Sequence, residues 1–110
     1  MKNYVQPGNV VTLTAPAGGV KSGDGLLVGS LFGVAAYDAA AGEEVETSLV
    51  GVYALPKASG ALAEGAKVYW DATAKAVTGT ASSNKLIGAV IRAAGSSEAS
   101  ARVRLDGTTI

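Results

Sequence analysis

The run from Leu26 to Ala36, Leu-Leu-Val-Gly-Ser-Leu-Phe-Gly-Val-Ala-Ala, constrains this chain most. It is apolar on both faces, so whatever it forms has to be buried, and periodicity alone does not separate a buried strand from a buried helix. Its two glycines decide. Gly29 and Gly33 would each cost a helix about 1 kcal/mol relative to Ala. In a strand they mark a bend, a bulge or a close backbone approach. The run therefore reads as strand, fed by a turn-rich loop over residues 16–25, Pro-Ala-Gly-Gly-Val-Lys-Ser-Gly-Asp-Gly.

The rest of the chain follows the same grammar. Val10-Val11-Thr12-Leu13-Thr14 is a first strand, rich in β-branched residues and bounded by prolines. Residues 44–55 read as one strand with Val45, Thr47 and Leu49 on one face, Glu44, Glu46 and Ser48 on the other, and a bulge near Gly51. Lys67 to Asp71 alternates, with Val68 and Trp70 inward, and residues 76–78 return as a short hairpin partner. Residues 86–92 place Ile87, Ala89 and Ile91 on one side. In Ala101-Arg102-Val103-Arg104-Leu105 the arginines face out. The one place with room for a short helical turn is Ala61 to Glu64. The expectation is an all-β fold, a single small barrel or sandwich of about seven or eight short strands with Gly-rich turns. Residues 1–110 form one β domain, with residues 1–6 as an extended N-terminal arm.

A weak internal pattern accompanies the strands. Gly23-Asp24-Gly25-Leu26, Gly42-Glu43-Glu44-Val45 and Gly65-Ala66-Lys67-Val68 each lead into a strand. Phe32-Gly33-Val34, Val50-Gly51-Val52 and Ile87-Gly88-Ala89 share an apolar-Gly-small core. Either duplication or convergent turn chemistry produces such patterns.

Composition removes several kinds of chemistry. With no Cys and no His, thiolate nucleophiles, imidazole bases and the usual zinc or copper ligands are missing from the 110 residues. Nine Lys and Arg balance nine Asp and Glu, and the aromatics number six, so neither a net field nor a stacking platform favours nucleic acid. No apolar run approaches the roughly 20 residues of a membrane helix. The N-terminus lacks the apolar core of a signal peptide, so a soluble protein made in the cytoplasm is expected. Charged residues are only 16% of the chain, against roughly 25% in typical soluble domains. Neutral, small-residue surface of that kind suits either a subunit contact or a compact domain with many Ala and Gly turns.

No catalytic constellation emerges. A Walker A loop needs glycines where Ala15 and Val20 stand before Lys21-Ser22. Glu43, Glu44 and Glu46 read as a solvated strand edge that discourages aggregation rather than as paired catalytic acids. Asp24 supplies one carboxylate, short of the six to eight oxygens of a calcium site, and reads as a turn cap. No metal or cofactor is expected. Tyr69, opposite Trp70 on its strand, is the better contact residue of the two. Arg102 and Arg104 either meet a carboxylate of a neighbouring subunit or solubilise the last strand.

Val20-Lys21-Ser22-Gly23-Asp24-Gly25-Leu26-Leu27-Val28-Gly29-Ser30-Leu31-Phe32-Gly33-Val34-Ala35 resembles the core of a small protein of tailed-phage and prophage head gene clusters, catalogued as domain of unknown function 2190. The likeness continues through Ala41 to Val45, Gly51 to Lys57, Gly65 to Asp71, Leu86-Ile87-Gly88 and Val103-Arg104-Leu105. The resemblance implies a non-enzymatic capsid cement or decoration subunit. It would assemble, with trimers favoured, on the outside of the phage head, against the major capsid protein, after synthesis in the host bacterial cytoplasm. Some relatives carry a recombinase label of the RecA/RadA type, which the missing Walker A loop does not support. Under this reading the interface candidates are Tyr4 and Val5 in the arm, with Tyr69, Arg102 and Arg104. A glycan-binding β module using Tyr69 is the alternative, and a recombination accessory factor is a third.

Overall fold

In a computed structural model, which describes residues 2–110, the chain is all-β, with nine strands and no helix among the described residues. The strands are β1 Val10–Thr14, β2 Gly25–Val28, β3 Leu31–Ala35, β4 Glu44–Ser48, β5 Val50–Pro56, β6 Lys67–Asp71, β7 Ala76–Thr78, β8 Lys85–Val90 and β9 Ser100–Asp106. They form two antiparallel sheets, ordered β1-β4-β3-β2 and β5-β9-β8-β6-β7. The second sheet curls until its ends meet. Lys57, just past β5, bridges Val77 of β7, and the Ala58 N–H donates to the Val77 carbonyl at 2.9 Å.

Five sequence expectations need correction. The apolar run from Leu26 is a hairpin, not one strand: Val28 pairs with Leu31 around Gly29-Ser30, and Gly29 has φ +60°. A glycine at the first central position with positive φ is what a two-residue II′ turn requires. Residues 44–55 also split, because the chain leaves the first sheet after Ser48 and enters the second at Val50. No bulge occurs near Gly51, where the β5–β9 register is unbroken; the register shift lies between β6 and β8, where Ile87 is the extra residue. That shift turns Ile87 and Val90 inward and leaves Ile91 exposed, contrary to a simple alternation of Ile87, Ala89 and Ile91. Finally, Ala61 to Glu64 forms no helical turn. Leu62 instead exchanges two backbone hydrogen bonds of 2.8 Å with Ala94.

The two sheets are the same motif built twice. The order β1-β4-β3-β2 is repeated by β5-β9-β8-β6, with β7 added where the first half has only the Gly29-Ser30 turn. The connecting hydrogen bonds repeat as well. Val20 and Ala39 exchange bonds in the first half as Leu62 and Ala94 do in the second. Ala36 N–H donates to the Glu46 carbonyl as Ile91 N–H donates to Arg102, and Ala15 donates to Glu43 as Lys57 donates to Ala99. Gly23, Gly42 and Gly65 have φ of +88°, +84° and +83°, each in a turn closed by an i+3 to i backbone bond. These are turns with a left-handed third residue, the place where glycine carries no Cβ penalty. The Gly-led strand starts in the sequence are thus one structural device, and the duplication lies in topology more than in residue identity.

Each half has its own core. Val20, Leu26, Ala35, Ala39 and Val45 in the first correspond to Leu62, Val68, Val90, Ala94 and Ala101 in the second. The halves join through β3, whose Phe32 and Val34 enter the second core. The Phe32 and Trp70 rings lie 4.8 Å apart at 48°, a tilted contact of a favoured aromatic type. At the end of the chain, the Ile110 N–H donates to the Ser30 carbonyl at 2.9 Å and clips the β2–β3 hairpin.

Candidate contact surface

The pairing of β6, β8, β9 and β5 sets side chains in rows, because directly opposed residues point to the same face of a sheet. One row on the outer face runs Lys67, Ala89, Arg104, Val52. Beside it Arg102 lies opposite Ala54 on β5 and next to Ile91, whose N–H it accepts. Tyr69, two residues from Lys67, shares that face and is half-buried opposite Leu86. The fold thus brings Tyr69, Arg102 and Arg104 onto one surface, as neighbours of the exposed Val52, Leu86 and Ile91. A cleft of about 220 Å³ opens there between Lys67 and Arg104, floored by Leu86, Ala89 and Ile110.

The apolar members of this face were not expected from sequence. Val52 was legible in principle, since it alternates with the half-buried Tyr53 and the buried Leu55 along β5. Ile91 was not, because its direction depends on the bulge at Ile87.

Tyr4 and Val5 stand apart from that surface, in the segment leading to β1. They are 65% and 87% exposed, and β1 itself pairs on one side only, with β4. Met1 lies outside the described residues.

The remaining candidates have local roles. Trp70 is core, at 4% exposure. The Asp24 carboxylate accepts the Lys21 N–H at 3.0 Å, and Asp38 and Glu43 accept those of Ser22 and Ala40 at 2.8 and 2.9 Å, so these acids hold loops. Among the described residues no group of three or more Asp and Glu is placed to hold a metal ion. Glu44 and Glu46 lie on the exposed β1–β4 face, where the Thr12 hydroxyl donates to the Glu46 carboxylate. A cleft of about 300 Å³ near the first loop is lined by Pro16, Leu26, Pro56, Trp70, Asp24 and Lys75. Neither Tyr69 nor the arginines contribute to it.

Charge is divided between the halves. Residues 1–49 carry two Lys against five Asp and Glu, and residues 50–110 carry seven Lys and Arg against four, so a neutral chain splits into −3 and +3. Asp106, at the end of β9, is held below the ordinary carboxylate range. The Thr108 hydroxyl does most of this, then the Thr108 N–H at 3.0 Å, with Arg104 a smaller contribution.

The profile of the phage cement protein family matches residues 5–105, and the chain belongs to that family. It is a phage structural protein associated with the capsid. The match carries no trace of the recombinase label. No curated protein and no solved structure matches the chain. No helix among the described residues is long and apolar enough to cross a membrane.

Proposed function

We propose that this chain is a non-enzymatic cement subunit that binds the outside of a phage head and stabilises the shell. It works as one β domain with an arm at residues 1–6, assembled as a cyclic homo-oligomer, with a trimer favoured, and made in the cytoplasm of the host bacterium. Its partner on the head is the major capsid protein, and neither nucleic acid nor membrane is engaged. The observation that carries this reading is the extent of the family match, residues 5–105, which takes in Val5, β1 and the whole outer face. The physical logic is multivalency: weak contacts from each subunit add up when the assembly engages several shell positions at once. Tyr4 and Val5 support a docking arm, since two large exposed side chains preceding a one-sided strand can order by adding to a sheet edge.

Co-sedimentation with heads lacking the protein tests the reading. Full-length chain should pellet with heads and raise their resistance to heat, and a chain lacking residues 2–6 should bind far more weakly. Full-length chain that stays in the supernatant would refute the cement role. Undiminished binding by the shortened chain would refute the arm alone.

A further inference from the structure

The first half packs its β3 face, with Phe32 and Val34, onto the core of the second half. The equivalent face of the second half, which carries Ala89, Arg102 and Arg104, has no strand packed on it among the described residues, and both arginines are exposed. We propose that the β5–β9 part of this face packs against the β1–β4 face of a second copy, head to tail. The proposal deepens the assembly reading above and rests on it.

Three observations on the two faces point the same way. First, they are the same two-stranded platform. Val10 opposes Ser48 on one as Val52 opposes Arg104 on the other, and Thr12 opposes Glu46 as Ala54 opposes Arg102. Val10 and Val52 are 42% and 51% exposed, so each platform offers an apolar point for sheet-on-sheet packing. Second, the two faces carry opposite charges, and Glu46 and Arg102 hold equivalent places. Glu44 and Glu46 line the β1–β4 face, while Arg102 and Arg104 line the β5–β9 face. Their halves carry −3 and +3. Third, sign restricts the symmetry. A two-fold contact through either face would set Arg102 and Arg104, or Glu44 and Glu46, against their own copies, which like-charge repulsion opposes. Only a heterologous contact pairs acid with base, and a heterologous contact that closes makes a ring.

Charge reversal and mixing test this directly by sedimentation equilibrium. The chain should self-associate at low salt and loosen as salt screens the pairs. The variants Glu44→Lys with Glu46→Lys, and Arg102→Glu with Arg104→Glu, should each lose affinity for their own copies by roughly tenfold or more. Mixed in equal amounts they should recover association, because a cationic β1–β4 face then meets an anionic β5–β9 face. Glu46 is half-buried and bonded to Thr12; if that variant does not fold, Glu44→Lys with Arg102→Glu as its partner makes the same test at exposed sites. A wild-type chain that stays monomeric, self-association indifferent to both reversals, or a mixture without recovery would each overturn the proposal. Head binding by the same variants separates the two readings. Loss of mixing rescue with head binding intact removes only this interface, whereas normal self-association without head binding removes the cement role.

Discussion

Gly33 and Gly88 occupy the same position in the two halves, each set against the backbone of the neighbouring strand at equivalent residues. A Cβ on Gly33 would sit 2.6 Å from the Ser48 carbonyl oxygen, and one on Gly88 would collide with the carbonyl of Arg104. Backbone cannot swing aside as a flexible side chain can, so both sites demand the absent Cβ. The shared contact is also the strongest single residue-level trace of the duplication.

Gly88→Ala should therefore destabilise the fold by about 3 kcal/mol or more, the upper part of the range for overpacking. Gly33→Ala should follow the same direction. Urea unfolding of both variants checks this, and a loss under 1 kcal/mol would mean that the strands part without cost.

Gly65 offers a contrast, since a Cβ there would touch nothing within 4 Å yet φ is +83°. Gly65→Ala should cost about 1–2 kcal/mol from the left-handed conformation alone. Gly65→Asn should cost less, because Asn tolerates that region. Equal losses for Ala and Asn would argue against a purely conformational cause.

Phe32→Ala removes the ring that joins the first half to Trp70. The expected loss is about 3–5 kcal/mol. Trp70 fluorescence should also shift to longer wavelength as water reaches the ring. An unchanged emission spectrum would place the join elsewhere.

Asp106 gives a pH signature. Its folded pKa is depressed, chiefly by the Thr108 hydroxyl and N–H. The resulting stabilisation is present above the ordinary carboxylate range and is lost as pH falls through the lower, folded value. Thr108→Val keeps the N–H but removes the hydroxyl, so an NMR titration should show the Asp106 pKa rising. No rise would assign the shift to a different partner.

The arrangement of β1, β6, β7 and β9 was legible because each is a short alternating or β-branched run between turn residues. Val68, Trp70, Val103 and Leu105 could face only inward while Lys67, Arg102 and Arg104 kept their charges in water. The hairpin at Gly29-Ser30 was written in the sequence too, but the surrounding apolar residues hid the reversal: where both faces are buried, no polar phase marks a turn. The strand edge expected at Glu43, Glu44 and Glu46 is instead the exposed face of an interior strand, since β4 lies between β1 and β3, and Glu43 holds the loop before it.

Local sequence by itself determined that this run from Leu26 to Ala36 is β-structure, that Trp70 is core, and that Arg102 and Arg104 point outward. Each of those follows from side-chain chemistry within a few residues. Tertiary structure alone decided that the run folds back on itself, that Ile87 bulges and turns Ile91 outward, and that Tyr69, Arg102 and Arg104 share a face with Val52. It also decided that Gly-led turns separated by dozens of residues belong to two copies of one motif. The reason is physical: register, bulges and strand order are set by partners distant in the chain, and a one-residue shift in pairing reverses which side of the sheet a side chain occupies.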